Sequence, residues 1–145
     1  MNAAPKTNPI VVAFDHPGGS LTKCFWSYRV LVHQDGTVDF TGRGVMRREG
    51  DFHWSMPRER VDLILKKFDP LWDAPLEETE RVVDAGENCL YVANGGRRFL
   101  KCFIGWRGGT EPFYAFAHYV TFKTNAVQWM GEHGERDPDC RPRDE

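Results

Sequence analysis

The chain has 145 residues, of which 41% are hydrophobic and 13% aromatic, with 19 basic side chains against 21 acidic ones. That length suits a single core, and ten Phe, five Trp and four Tyr exclude a globally disordered chain. The near balance of charge gives no long-range pull toward polyanions or anionic membranes, and the longest apolar runs fall far short of a bilayer span.

Residues 1–9 are polar, carry Pro5 and Pro9, and lack the charged start and apolar stretch of a signal peptide, so a flexible N-terminus and a cytoplasmic chain are expected. Ile10-Val11-Val12-Ala13-Phe14 reads as a short buried strand, followed by a loop from Asp15 to Ser20. Alternation from Phe25 to His33 and again from Thr37 to Thr41, with Asp35-Gly36 between, predicts a hairpin. The stretch Val45–Trp54, punctuated upstream by Gly42 and Gly44, fits a further strand or two short ones.

Ser55 as cap, Pro57 in the first turn and Glu59 near the positive end predict a helix. Its apolar stripe is Val61, Ile64, Leu65 and Phe68, and it must stop by Asp69-Pro70. Leu71 to Gly86 reads as an acidic loop that Trp72 anchors. Cys89–Ala93 and Arg98–Ile104 flank Asn94-Gly95-Gly96-Arg97, a second hairpin. With Gly95-Gly96 as a two-residue turn, counting outward sets Cys89 opposite Cys102. These thiols are expected to pack as small hydrophobes, with a redox pair as the alternative. Thr110-Glu111-Pro112 opens a last helix whose buried stripe is Phe113, Phe116, Ala117, Val120 and Val127, with Gly131 as its stop. Residues 132–145 read as a charged, disordered tail, leaving 10–131 as one α+β domain. Its expected form is a single antiparallel or mixed sheet built from hairpins, with two helices on one face.

Laid out in this order, the segments resemble the bacterial domain of unknown function 6438 family over roughly residues 10 to 130. The likeness lies in Cys24-Phe25-Trp26-Ser27-Tyr28, in Asp35-Gly36-Thr37-Val38 with Gly42, in Ser55-Met56-Pro57-Arg58-Glu59-Arg60-Val61, and in Val83-Asp84 before the second hairpin. Ser20 stands where the family has the first cysteine of its Cys-x3-Cys motif, and Trp26-Ser27 alters the Pro-x step before Tyr28. The resemblance therefore implies a fold and no paired-cysteine chemistry.

No catalytic signature is present: no nucleophile elbow, phosphate-binding loop, dinucleotide fingerprint or His-Glu-x-x-His helix. The four cysteines and five histidines fall in no metal-ligand spacing, so no metal and no cofactor is expected. One candidate site is a loop site of His16, Cys24 and Asp84, with Asp15 beside it, which an enzyme of unrecognised type would use. The other is a binding surface of Arg43, Arg47, Arg48, Trp54, Arg97, Arg98, Trp106 and Arg107, where cations and rings would hold an acidic partner or stack single-stranded bases. Without a catalytic pattern, the favoured expectation is a small non-catalytic interaction module of a bacterium or its mobile elements, with protein as partner, nucleic acid less favoured and membrane excluded.

Overall fold

A computed structural model describes residues 7–16, 26–44, 50–74, 87–104 and 111–129. Six strands form one sheet: β1 (Ile10–His16), β2 (Trp26–His33), β3 (Thr37–Gly44), β4 (Gly50–Ser55), β5 (Glu87–Asn94) and β6 (Arg97–Ile104). Helix α1 (Arg58–Lys67) lies between β4 and β5 in the chain, and α2 (Glu111–Lys123) follows β6. The spatial order is β4-β3-β2-β1-β5-β6, and every neighbouring pair is antiparallel. The sheet is thus a four-strand meander to whose first strand a second hairpin has been added. The expected α+β class, one sheet with two helices, is the observed one, and the sheet is antiparallel throughout.

Alternation assigns the two faces. Val12, Phe14, Val30, Val32, Val38, Phe40, Leu90 and Val92 all point to one side and are fully or almost fully buried. Both helices cover that side. From α1, Val61, Ile64 and the adjoining Phe68 face it, and from α2, Phe113, Phe116, Ala117 and Val120. Ring contacts join the layers, Phe68 to Phe99 at 5.2 Å and Phe103 to Phe113 at 5.3 Å between centroids.

The two hairpins close differently. Between β5 and β6, Gly95 and Gly96 both take positive φ, 57° and 86°, and Asn94 pairs with Arg97, the two-residue turn expected. Between β2 and β3 the loop is three residues long: the Gly36 N–H donates to the His33 carbonyl at 3.0 Å, and only Gly36 has positive φ, at 100°. The Asp35 carboxylate accepts the Thr37 N–H at 2.8 Å, which fixes the turn from within. Asn8 and Pro9 brace this turn. The Asn8 side chain accepts the Asp35 N–H, and the Pro9 carbonyl accepts the Gln34 N–H.

Two boundaries, the start of α1 and the end of the last helix, differ from the sequence expectation, each for a local reason, while α1 stops before Asp69-Pro70 as expected. Ser55 does not cap α1. It is the last residue of β4, paired with Thr37, and Pro57 occupies the N-cap position with no side-chain hydrogen bond. The chain leaves α1 at Phe68 and enters a 3₁₀ turn over Asp69–Leu71, where Pro70 costs no helical hydrogen bond. The last helix stops before Gly131, because Asn125 adopts a left-handed φ of 65° and a 3₁₀ turn, Ala126–Trp129, follows. Thr124 secures that break. Its buried hydroxyl donates to the Val120 carbonyl at 2.7 Å and accepts the Ala126 N–H at 3.3 Å. The change of phase brings Ala126 into the core in place of Val127, which is 40% exposed.

Candidate functional site

His16, the last residue of β1, continues the inward series Val12, Phe14 and so points to the helix-covered side at one end of the sheet. Tyr28 of β2 stands directly opposite it, ring centroids 5.3 Å apart. On the other flank, Asn88 of β5 is buried, 3% exposed, and its side-chain oxygen is hydrogen-bonded to His16 Nδ1. An amide oxygen only accepts, so the imidazole proton sits on Nδ1 and Nε2 keeps its lone pair. Burial pulls the His16 pKa down, against the raising effects of Asn88 and Asp15, and nearby His118 lowers it further. The ring is therefore held neutral, in one tautomer.

The surroundings keep neighbouring groups uncharged too. Burial, with a smaller effect of Tyr114, raises the Tyr28 phenol far above its usual range, so it remains a donor. Tyr114 and His118 lie one turn apart on α2 with rings edge to face at 4.3 Å, and burial lowers the His118 pKa. Tyr28 also begins a ladder of rings that runs through Phe40 to Phe52, at 6.1 and 6.5 Å. The cluster thus brings a neutral imidazole and the Tyr28 phenol together beside an aromatic wall.

His16 is the member of the expected loop site that falls within the described residues; Cys24 and Asp84 lie outside them. Tyr28, Asn88, Tyr114 and His118 were not anticipated as its neighbours. Among the described residues, no three His, Cys, Asp or Glu side chains are grouped to hold a metal ion.

The basic-aromatic surface is distributed over both faces of the sheet. Trp54 pairs with Val38 on the covered side and is half-buried, its indole N–H donating to the Thr124 carbonyl at 2.9 Å. Arg97 lies over the Trp72 ring at 4.5 Å and meets the Asp73 carboxylate at 3.5 Å, so both hold together the start of β6 and the segment after α1. Arg98, next along β6, is exposed and falls on the opposite side. Arg43 is placed in β3 opposite Ser27, while Arg47, Arg48, Trp106 and Arg107 lie outside the described residues. Phe40, Phe52, Phe99 and Phe103 share the helix-covered side with Trp54, so their faces are turned toward the core.

Among the described residues, no helix packs on the other face of the sheet. Register sets two rows across it. One runs Asp51, Thr41, Arg29, Asp15, Cys89, Cys102, one residue from each strand. Within it the Thr41 hydroxyl donates to Asp51 at 2.8 Å, Arg29 meets Asp15 at 3.6 Å, and Cys89 is disulfide-bonded to Cys102. A depression of about 240 Å³ opens here beside Asp15, Ser27, Arg29 and Thr41. The second row runs His53, Asp39, Leu31, Ala13, Tyr91, Leu100; its last four residues are apolar or aromatic, and Leu100 is 70% exposed. The bridge corrects the expectation that the two cysteines pack as small buried hydrophobes: they alternate with buried Leu90 and Phe103, which places them on the uncovered side.

On the same face His33 is bound by two acceptors. Its Nδ1–H donates to the Asn8 carbonyl at 3.1 Å and its Nε2–H to Asp39 at 2.8 Å, an arrangement that needs both ring protons. Burial lowers its pKa, but Asn8 and Asp39 outweigh that, and the net direction is upward.

These histidines give stability a pH dependence of two signs. The unfolded imidazole titrates near 6.5. His16 and His118, depressed in the fold, contribute fully above that value, and the contribution is lost as the pH falls and the unfolded chain takes up the proton. His33 contributes fully below it, and that contribution is lost as the pH rises through the raised value. The expected result is a urea midpoint that falls between roughly pH 7.5 and 5.5, a fall flattened by His16→Gln and steepened by His33→Gln. An unchanged slope in His16→Gln would show that the ring is not held neutral.

No family model matches the chain, and neither a curated protein nor a solved structure matches it.

Proposed function

We propose that the protein is a small non-catalytic interaction module that holds a protein partner on the uncovered face of its sheet. The observation behind this reading is the apolar stretch of the second row, Leu31, Ala13, Tyr91, Leu100, which lies between the polar row carrying Arg29 and the exposed Arg98. An aromatic and an aliphatic anchor with guanidinium groups at the margin is the composition of a protein-binding patch. The near-neutral charge fits contact by local complementarity rather than by long-range steering. Base stacking has less support, since Trp54 and the Phe rings of β3, β4 and β6 face the helices. The likeness to the domain of unknown function 6438 family, a bacterial origin and a cytoplasmic location belong to this same proposal. No helix among the described residues is long and apolar enough to cross a membrane.

The test is quantitative capture of partners from the native host with wild-type protein, Leu100→Asp and a control, Phe122→Asp. Phe122 is equally exposed, at 72%, but sits on α2 and so on the other side of the molecule. Leu100→Asp should weaken capture by about 2 kcal/mol or more, some thirtyfold, as expected at the centre of an interface, and Phe122→Asp should not. Equal capture by all three would remove the sheet face from consideration.

A second reading rests on a different observation, the fixed tautomer of His16. The neutral His16 ring, its centroid 5.3 Å from that of Tyr28, would then act as an acid–base group, and an enzyme using it would draw further groups from Cys24 and Asp84.

A further inference from the structure

We propose that the Cys89–Cys102 bridge is a thiol–disulfide exchange site, attacked at Cys102 by a dithiol reductant, either a small molecule or a protein. The proposal does not depend on the identity of any partner of the sheet face. It starts from the register. In a hairpin closed by a two-residue turn, Asn94 and Arg97 exchange backbone hydrogen bonds, as does every second pair outward. Val92 with Phe99, Leu90 with Lys101 and Asn88 with Phe103 are such pairs, and Cys89 with Cys102 falls between the last two, where strands carry no mutual hydrogen bonds. The Cα atoms there are 4.0 Å apart. Opening the bond consequently removes no ladder hydrogen bond.

Little else depends on the bridge. The 13-residue separation it spans is already closed by the Gly95-Gly96 turn and by the seven other register pairs of β5 and β6. On the opposite face, Asn88, Leu90, Val92 and Phe103 are buried in the core and hold β5 and β6 in place from below. A bridge that staples an otherwise loose loop is needed for folding, whereas this one joins two positions that the fold already sets face to face. Oxidised and reduced forms can therefore share one backbone, which a reversible couple requires.

Access selects the sulfur. Cys102 is exposed on the edge strand β6, while Cys89 is half-buried between β1 and β6. Asp15 stands opposite Cys89 on this face, so an anionic thiolate meets less repulsion at Cys102. The attacking thiolate forms a new S–S bond to Cys102 Sγ, and the electron pair of the old bond leaves on Cys89 Sγ, which takes a proton from water. The reductant's second thiolate then attacks the mixed disulfide at its own first sulfur and releases Cys102 as a thiolate, which is protonated in turn. Two electrons pass to the protein sulfurs, and the dithiol becomes a disulfide.

The test uses the full chain, with differential alkylation and peptide mass spectrometry reading all four cysteines separately. Millimolar dithiothreitol, without denaturant, should convert Cys89 and Cys102 together to alkylatable thiols within minutes, with the far-ultraviolet circular dichroism and the cooperative thermal transition retained. Oxidised glutathione should close the bridge again. In single variants, oxidised glutathione should modify Cys102 in Cys89→Ser about tenfold faster than Cys89 in Cys102→Ser, following the difference in access. A bridge that resists the dithiol until the protein is unfolded overturns the proposal, as does loss of the cooperative transition on reduction. A pair of thiols that oxidised glutathione fails to join would overturn it equally, and equal reactivity in the two variants would overturn the assignment of Cys102 as the entry point.

Discussion

Phe68→Ala is expected to lower the stability of the folded protein by about 3–5 kcal/mol, a large part of the roughly 5–15 kcal/mol available to a domain of this kind. Phe68 is fully buried where the chain leaves α1, and its ring meets four others: Trp72 at 4.9 Å, Phe116 at 5.0 Å, Phe99 at 5.2 Å and Phe113 at 6.4 Å. Those rings belong to the segment after α1, to α2 and to β6, so one side chain joins both helices to the far edge of the sheet. Truncation leaves a cavity that none of these elements can fill alone, because each is fixed elsewhere by its own buried residues. Urea unfolding should show a lower midpoint with little change in slope, and Phe68→Leu should recover more than half of the loss. A Phe68→Ala protein as stable as wild type would mean that α1 and α2 do not share this core.

The legible and illegible parts of the fold divide by sequence distance. The β5–β6 register follows from Gly95-Gly96 alone, since two adjacent residues that accept positive φ fix which residues close the turn. The opposition of Cys89 and Cys102 comes from the same count, but their face does not. That depends on Leu90 and Phe103 being the ones that meet the helices, which only the assembled layers decide. Alternation also separates Trp54 from its exposed neighbour His53, and weighing that period against the arginines would have broken up the expected basic-aromatic surface. The His16 cluster lies beyond such reasoning. Asn88 reaches His16 across 72 residues and through the β1–β5 pairing, a contact made by a strand joining the sheet after α1, and nothing local in either segment encodes it. Asn125 shows the reverse case, a single residue in a left-handed conformation ending a helix that the apolar period alone would have continued.

Gly36→Ala tests how the first hairpin is joined to the start of α1, and its cost is expected to be about 2–4 kcal/mol. Two effects add at this position. The φ of 100° is one that an L-residue rarely adopts, and a Cβ built there would stand 2.2 Å from the Met56 carbonyl oxygen, with the Met56 carbonyl carbon at 3.3 Å. Because these are backbone atoms, no rotamer change relieves the overlap. The turn must move away from Met56, and the hydrogen bond from the Met56 N–H to the Gly36 carbonyl, 3.0 Å, is lost with it. Gly96→Ala supplies the control. Its φ of 86° is nearly as unfavourable, but a Cβ there meets nothing within 4 Å, so only the conformational part, about 1–2 kcal/mol, should appear. The difference between the two variants, read from urea midpoints at constant slope, isolates the contact between the turn and Met56. Should Gly36→Ala cost no more than Gly96→Ala, the turn is not packed on that backbone, and the three-residue loop would owe its glycine to φ alone.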